Sequence, residues 1–426
     1  MRRNATAGPM TGIVGCTALV LTMITVTTGS AASAAPQRGC DPTWQQVAVP
    51  YSNYQTPLYF TTADQVPPTE LAVSALSGSD ARLAAKHGTQ EQVLQQWNGR
   101  TIDRAQQQLP IPPEFRHDIA AGAQSFSSPD EGWLVANTND RGSHSGQNRV
   151  VTYHWHDGRW TMVPTDVSSD PVRQGLSVQD AVSVSPDDAW LVGWRHFADR
   201  APIGAWPSGV HIQRWDGTRW SAVDNPLASV PNAELRSVTA ISANDVWAVG
   251  VQPDGLGTSI PLVMHWDGAE WRIVDTPTGN TPASLYGVSG TGPNDIWAVG
   301  AQTMPGTGNV AVPLTMHWNG SNWQVLDVPD VGNSRFHAVY AASPTDVWAV
   351  GMFPLGADAW FLHWDGQSWQ RVRPPDAVTG VETVETYYDV HGSGPNDVWA
   401  VGQHTHRGQR AEDRPLVAHL SCGRNR

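Results

Sequence analysis

The residues best suited to acid–base chemistry in this sequence are two aspartates and a histidine, Asp180, Asp389 and His337. Asp180 and Asp389 occupy the same position in two copies of a repeated segment, and His337 lies one position earlier in a third copy. Two carboxyl groups about 5 to 9.5 Å apart can cleave a glycosidic bond. These three residues are therefore the candidates for catalysis. For Asp180 the alternative is a structural role, in which the side chain caps a turn.

A second candidate site lies at the position just before these aspartates. If the repeats are arranged around one axis, the residues at this position converge at one end of it and offer hydrogen-bond donors and aromatic surface to one ligand. The alternative is a polar, water-filled funnel without a ligand. The residues are Gln179, Arg236, Tyr286, His337 and Tyr388.

Two variable loops supply further candidates. One loop carries tryptophans outside the repeat pattern and could stack on a sugar, or could close over a small core of its own; its candidate residues are Trp194, Arg195, His196 and Trp206. The other loop contains His404 and His406, which point the same way on an extended segment, as some metal ligands do. A single His-x-His is weak support, so the sequence predicts no metal and no cofactor.

The elements that would position these residues are short strands, best seen in the stretch from Leu235 to Pro277. Apolar residues alternate with polar or small ones in four runs, SVTAIS, DVWAVG, LVMHW and WRIV, and turn-forming residues separate the runs. Asp267-Gly268 between the last two runs predicts a two-residue hairpin turn. The stretch is therefore predicted to be one four-stranded antiparallel sheet.

This unit is repeated along the chain. Equivalents of Asp245 follow one another at spacings of 50 to 57 residues, and a sheet of about forty residues must stack on copies of itself to bury its faces. The seven equivalent positions are Asp80, Glu131, Asp188, Asp245, Asp295, Asp346 and Asp397. Six repeats carry a turn of the same type, at Asn98-Gly99, Asp157-Gly158, Asp216-Gly217, Asp267-Gly268, Asn319-Gly320 and Asp365-Gly366.

The sequence therefore predicts an all-β fold, a seven-bladed β-propeller of four-stranded antiparallel blades. The last repeat lacks its fourth strand, and residues 43–50 match that strand, so the N-terminal strand is expected to close the last blade. Cys40 and Cys422 would then be neighbours and form a disulfide. The predicted propeller spans 36–426, with blades at 70–110, 118–165, 176–226, 234–277, 284–329, 335–375, and 386–422 plus 43–50.

Most of the 21 tryptophans recur at three positions of the repeat, which indicates packing between sheets and not ligand binding. Histidines also recur before the hairpin turn. Because each belongs to a different sheet, they cannot share one metal ion, and we expect them to be hydrogen-bonded to neighbouring strands. These histidines are His154, His265, His317, His363 and His419.

The strings NDVWAVG, NDIWAVG, TDVWAVG and HWDGxxW resemble the repeats of secreted bacterial propellers grouped with the kelch, galactose-oxidase and tectonin-like superfamilies. The resemblance covers nearly the whole chain after residue 35 and implies the propeller fold. It implies little about function, because one fold carries many activities. The paired glycines of kelch repeats are missing, and no copper site of the galactose-oxidase type can be matched.

Residues 1–35 have the layout of a secretory signal peptide, with two arginines, an apolar core and small residues near Ala34. A secreted, extracellular protein without a membrane span is therefore expected. The formal charge of −13 argues against nucleic acid as a partner. No P-loop, HExxH or GxSxG motif occurs.

These features predict a monomeric binding or recognition module for an extracellular glycan or small molecule at the loop face, and they lean against an enzyme. Two alternatives stay open. The first is an extracellular hydrolase or lyase acting on carbohydrate through Asp180, Asp389 and His337. The second is a scaffold that binds a cell-surface protein.

Overall fold

The computed structural model describes residues 42–48, 71–77, 79–87, 91–105, 108–111, 119–139, 148–165, 175–196, 208–278, 281–303, 310–353, 359–375, 383–406 and 412–422. They belong to one compact unit, Asp41–Arg426. The regular elements of these ranges are all β-strands. Within them no helix has the length and hydropathy that crossing a membrane requires. The predicted signal peptide and Cys40 lie outside the described residues.

Five sheets have four antiparallel strands each, in chain order. The strands of the first two are β2 (Leu71–Ser77), β3 (Asp80–His87), β4 (Glu91–Trp97) and β5 (Ile102–Arg104), then β6 (Ile119–Ser128), β7 (Glu131–Asn139), β8 (Asn148–His156) and β9 (Arg159–Val163). The third has β10 (Leu176–Ser185), β11 (Asp188–His196), β12 (Ser208–Trp215) and β13 (Trp220–Ala222). The fourth and fifth have β14 (Glu234–Ser242), β15 (Asp245–Pro253), β16 (Ser259–Trp266) and β17 (Trp271–Ile273), then β18 (Ala283–Gly292), β19 (Asp295–Thr303), β20 (Ala311–Trp318) and β21 (Trp323–Val325).

The remaining eight strands form one continuous sheet, which corrects the expectation of seven separate sheets. The two halves join because Met352 of β23 pairs with Thr386 of β26. One half has β22 (Arg335–Ser343), β23 (Asp346–Met352), β24 (Phe361–Trp364) and β25 (Trp369–Val372). The other has β26 (Thr383–Gly394), β27 (Asp397–His406), β28 (Glu412–Ser421) and, at its edge, β1 (Thr43–Gln46).

The short strand β1 lies antiparallel to β28, with Thr43 opposite Ser421 and Gln46 opposite Ala418. Trp44 packs against Trp348 at 5.2 Å between ring centroids and against Phe361 at 4.7 Å. A strand from the N-terminal side of the chain thus pairs with β28 at the edge of this sheet.

The first strand of each four-stranded sheet, and of each half of the eight-stranded sheet, is called its inner strand. Each inner strand contacts the next inner strand along the chain, and the last one, β26, contacts the first, β2. The inner strands β2, β6, β10, β14, β18, β22 and β26 therefore surround a central axis. This is the arrangement of a β-propeller, and it brings equivalent residues of different repeats close together.

The recurring tryptophans pack between sheets, as the sequence predicts. Trp247 of β15 is 2% exposed and lies 5.2 Å from Trp318 and 5.8 Å from Trp323 of the next sheet. Trp190 makes the same kind of contact with two tryptophans one sheet further on. Each large ring therefore fills the space between neighbouring sheets, which the hydrophobic effect favours.

The hairpin turns differ from the prediction in all but one described case. Trp266 pairs with Trp271, so four residues form the loop between β16 and β17. In this loop Oδ1 of Asp267 accepts hydrogen bonds from the backbone N–H groups of Ala269 and Glu270. The two-residue turn occurs at Asp157-Gly158, where both residues have positive φ, 51° and 72°. The Asp-Gly sequence alone does not distinguish the two loops, because the aspartate side chain can cap the longer one.

Candidate functional site

The predicted ring of residues coincides with a set of β-bulges. In six inner strands the pairing with the second strand of the sheet shifts by one residue, and the residue at the shift lies between two paired neighbours. A bulge re-aims a side chain relative to the regular pleat. The bulged residues are Gly122, Gln179, Arg236, Tyr286, His337 and Tyr388, and we call them the bulge ring.

The glycine of the WAVG string explains why the bulge is possible. A Cβ atom at Gly250 would lie 2.0 Å from the carbonyl oxygen of Glu234, two residues before the bulged Arg236. Gly300 stands in the same relation to Ser284, and Gly402 to Thr386. In five of the six bulged strands the partner is a glycine, whose lack of a Cβ leaves room for this carbonyl. In the sixth, the bulge at Gly122 lies opposite Ala136.

Four side chains of the bulge ring form a continuous series. The guanidinium carbon of Arg236 lies 4.6 Å from the ring centroid of Tyr286. The Tyr286 and His337 centroids are 5.8 Å apart, and those of His337 and Tyr388 are 5.7 Å apart and nearly parallel. All four side chains are half-buried. The structure thus brings these predicted site residues together, with Gln179 on the neighbouring strand β10.

Arg236 has a hydrogen-bond donor to spare. Its Nη1 is buried and has no hydrogen-bond partner among the described residues, while Nη2 lies 3.8 Å from Oε2 of Glu234. A buried donor without an acceptor costs about 1 to 3 kcal/mol. An oxygen of a bound ligand would remove this cost.

His337 is neutral at neutral pH. Burial lowers the pKa of His337 to about 4, and the positive charge of Arg335 lowers it further. A neutral imidazole both donates and accepts a hydrogen bond. His337 can therefore bind a hydroxyl group in either sense without bringing a positive charge to the ring.

Asp180 and Asp389, the candidate catalytic acids, connect neighbouring inner strands. Oδ2 of Asp180 accepts hydrogen bonds of 2.9 Å from the backbone N–H of Val238 and from the hydroxyl of Ser237. Oδ2 of Asp389 accepts a 2.9 Å bond from the N–H of Val73. Each carboxylate thus links its own inner strand to the inner strand of a neighbouring sheet. The position of the aspartate in the repeat does not by itself reveal this role.

The environment raises the pKa of both acids. Burial raises the pKa of Asp180 to about 7, against the opposing effect of its hydrogen bonds, and the charge of Asp389 adds a further rise. Burial likewise raises the pKa of Asp389 to about 6. Protein surrounds the two carboxyl groups, although each side chain keeps some exposed surface.

Other polar residues of the inner strands make similar bridges, which sequence reasoning missed. Ser237 accepts a hydrogen bond from the N–H of Val288, and Ser289 accepts one from Ala341. Nδ1 of His391 accepts one from Ala75. The available signal was a polar residue at either of two inner-strand positions, one or three residues after the bulge.

The loop candidates are only partly described. Trp194 and Arg195 lie at the end of β11, paired with Ser177 and Leu176, and their side chains are half-buried. The side chain of His196 and all of Trp206 lie outside the described residues. For the His-x-His pair, His404 is half-buried in β27, whereas the side chain of His406 is not described. The predictions for these residues stay predictions.

The histidines before the hairpin turn are hydrogen-bonded to the adjacent strand, as predicted. Nε2 of His265 lies 2.7 Å from Oδ1 of Asp245, which also accepts the indole N–H of Trp247. The imidazole stacks on the same indole at 4.2 Å. Equivalent pairs join His317 to Asp295, His363 to Asp346, and His419 to Asp397.

Comparison with solved structures supports the β-propeller fold. The chain is similar to YCF48 bound to D1 peptide, at 17% identity and a TM-score of 0.50, covering 88% of this chain and 99% of that one. It is similar to the polysaccharide lyase Uly1 at 9% identity and a TM-score of 0.50, covering 88% and 94%. The SapL1 lectin in complex with alpha methyl fucoside matches at 14% identity and a TM-score of 0.44, covering 72% and 96%. No protein-family description and no curated protein sequence matches the chain.

Proposed function

We propose that this protein is a binding module that takes a carbohydrate at the bulge ring. The observation that carries the proposal is the series from Arg236 through Tyr286 and His337 to Tyr388, in which a buried guanidinium donor adjoins three half-buried rings. Side chains of this kind on a rigid scaffold are typical of ligand sites.

The chemistry of the series suits a sugar. A pyranose has an apolar face that packs on aromatic rings and hydroxyl groups that need donors and acceptors. Tyr286 and Tyr388 supply the rings, and Nη1 of Arg236 supplies a donor to a hydroxyl or carboxylate oxygen. Neutral His337 can complete the hydrogen bonds between them. Gln179 and the loop residues Trp194, Arg195, His196 and Trp206 are proposed to extend the site.

A second candidate function is a hydrolase or lyase acting on carbohydrate through Asp180, Asp389 and His337. Burial raises the pKa values of both acids toward neutrality, as a general acid requires. Against this, Oδ2 of each acid accepts a backbone N–H from the next inner strand. The binding function is therefore preferred. A scaffold for a peptide or protein is the third candidate, since YCF48 is similar in fold and is seen with a peptide.

The proposal also concerns the number of blades, the closure of the propeller and the location of the protein. We propose that the continuous sheet counts as two blades, which gives seven, and that β1 closes the last one; the pairing of β1 with β28 supports this. A disulfide between Cys40 and Cys422 would strengthen the closure. We propose that residues 1–35 are a secretory signal peptide and that the protein acts outside the cell as a monomer.

A glycan array tests the binding function. The unaltered chain is expected to bind at least one oligosaccharide class. Tyr286→Gln introduces the residue that the same register holds at Gln179, and it removes a ring from the series. We expect it to weaken binding at least about tenfold, the loss of one good contact of about 1.4 kcal/mol. Arg236→Gln should have a similar effect because the free donor is lost.

The matched control is Glu270→Gln, which lies in the loop between β16 and β17 at the opposite end of the sheet and should bind as the unaltered chain does. Binding that survives both ring substitutions would refute the proposed site. Turnover of a polysaccharide that Asp389→Asn abolishes would favour the enzyme instead.

A further inference from the structure

One sheet carries a cluster of metal-ligating side chains that the ring of repeats does not require. Glu131, His154 and His156 each place one ligand atom within 4.8 Å of the others. Oε1 of Glu131 contacts Nε2 of His154, and Oε2 lies 2.9 Å from Nδ1 of His156. Glu131 is 3% exposed, whereas His156 is exposed at the surface. The cluster therefore has a buried carboxylate and an open side.

The cluster departs from the pattern of the other sheets. In four other repeats an aspartate binds one histidine, and in three of these it also accepts the indole N–H of the nearby tryptophan, as Asp295 does from Trp297 at 2.9 Å. Glu131 is one methylene longer than aspartate and binds two histidines, His154 and His156. The carboxylate of this sheet thus lies between two imidazoles.

The second histidine is a consequence of the tight turn at Asp157-Gly158. Because this turn has two residues and not four, β8 is longer, and His156 pairs directly with Glu131 and with Arg159. His154 and His156 are two residues apart on one strand, so their side chains share a face. The five repeats with a longer hairpin loop hold an aspartate or asparagine at this position, within the loop, and the last repeat holds Ser421.

The second imidazole nitrogen of His156 faces away from Glu131. This Nε2 lies 3.6 Å from Oδ2 of the exposed Asp157, which is beyond hydrogen-bond distance. His154 is held in place by stacking on Trp133 at 4.3 Å.

We propose that Glu131, His154 and His156 form a site for a divalent transition-metal ion, with zinc the best match. Two imidazole nitrogens and one carboxylate oxygen are a donor set that zinc takes in sites with a fourth, open position. The exposed side of His156 leaves that position to water or to an oxygen of another molecule. The site lies at the hairpin end of its sheet, away from the bulge ring, and does not depend on the proposed carbohydrate binding.

Isothermal titration of the full chain with zinc chloride tests the proposal, after dialysis against a chelator and without a polyhistidine tag. One equivalent of zinc is expected to bind, and the thermal midpoint should rise with zinc concentration, because a ligand of the folded state stabilises it. Cobalt(II) should bind in the same place and give the intense visible absorption of a four-coordinate site.

Two substitutions test the location of the site, and each introduces a residue that another repeat carries at the same position. His156→Asn introduces the residue found at Asn319, and Glu131→Asp the residue found at Asp245. Each should weaken zinc binding by more than about 100-fold, since loss of even an outer partner of a ligand costs about 10- to 100-fold. Both variants should keep the near-ultraviolet circular dichroism of the folded tryptophans.

The control is His404→Gln, which should leave zinc affinity within about a factor of two. The proposal is overturned if no saturable zinc binding is seen. It is also overturned if His156→Asn keeps the affinity of the unaltered chain, in which case the three residues are a structural hydrogen-bonded group. Loss of binding in His404→Gln alone would place the ion elsewhere.

Discussion

The bulge ring and the Asp–His pairs lie at opposite ends of the sheets and differ in how they vary. The same pair recurs in four repeats, as at Asp245 with His265 and Asp397 with His419. The bulge ring keeps the same backbone but changes its side chain from arginine to tyrosine to histidine. Positions that recur with the same residues maintain packing, and those that vary on a constant backbone are available for a ligand.

The largest effect is expected from a change that alters the backbone on which the ring depends. In Gly250→Ala the added Cβ would lie 2.0 Å from the carbonyl oxygen of Glu234, so the bulge at Arg236 must rearrange. We expect the free energy of unfolding to fall by about 3 kcal/mol or more, as in severe overpacking. Urea denaturation followed by tryptophan fluorescence measures it.

Gly292→Ala is the control, because a Cβ there meets no atom within 4 Å and φ is not positive. Its stability should change by less than about 0.5 kcal/mol. If the two glycines proved equally tolerant, the link between the WAVG glycine and the bulge would be wrong.

A smaller loss is expected at the constant end of the sheet. Asp245→Ala leaves the indole N–H of Trp247 and the imidazole of His265 without their acceptor. The expected cost is about 1 to 3 kcal/mol of unfolding free energy. Asp245→Asn keeps an acceptor oxygen and should cost less than half as much, measured by the same denaturation. Equal losses in both variants would mean that the negative charge, and not the acceptor, matters.

A further effect concerns pH and the carboxylates between the inner strands. Because the folded pKa of Asp180, about 7, lies above its ordinary value of 3.8, the stability from its protonation is complete below about pH 4 and is lost as pH rises through about 7. Asp180→Ser introduces the residue found at Ser237 and removes the titration. The stability of the unaltered chain minus that of Asp180→Ser should therefore decrease from about pH 4 to about pH 8.

Urea denaturation of both chains at several pH values measures this difference. The subtraction removes the titration of groups that the substitution does not affect. A difference that stayed constant or increased with pH would show that burial does not control this carboxyl group.

Much of the fold could be predicted because the repeat is strict. Alternation of apolar residues in DVWAVG and LVMHW predicts strands, and the spacing of equivalents of Asp245 predicts four-stranded sheets around an axis. Five of the six bulge-ring residues were predicted by register alone, and Gly122 was not. The bulges themselves were not, because a bulge arises from the displaced carbonyl of Glu234 meeting Gly250 across two strands.

The cluster at Glu131 could not be predicted from the sequence either. In sequence, Glu131 is one more equivalent of Asp245, and His154 is one more equivalent of His265. The Asp157-Gly158 turn looks like the others, yet it is two residues long, and only this length brings His156 into the sheet opposite Glu131. Turn length depends on cross-strand pairing, which local sequence does not specify.

The sequence by itself determined the repeat, the strands and the residues that pack, because hydrophobic alternation and turn chemistry act over a few residues. The tertiary structure decided the roles of the polar side chains. It made Asp180 and Asp389 bridges between sheets, gave Arg236 its place over Tyr286, and set His156 beside Glu131. These contacts join residues far apart in the chain, and burial and partners, which exist only after the sheets assemble, determine their chemistry.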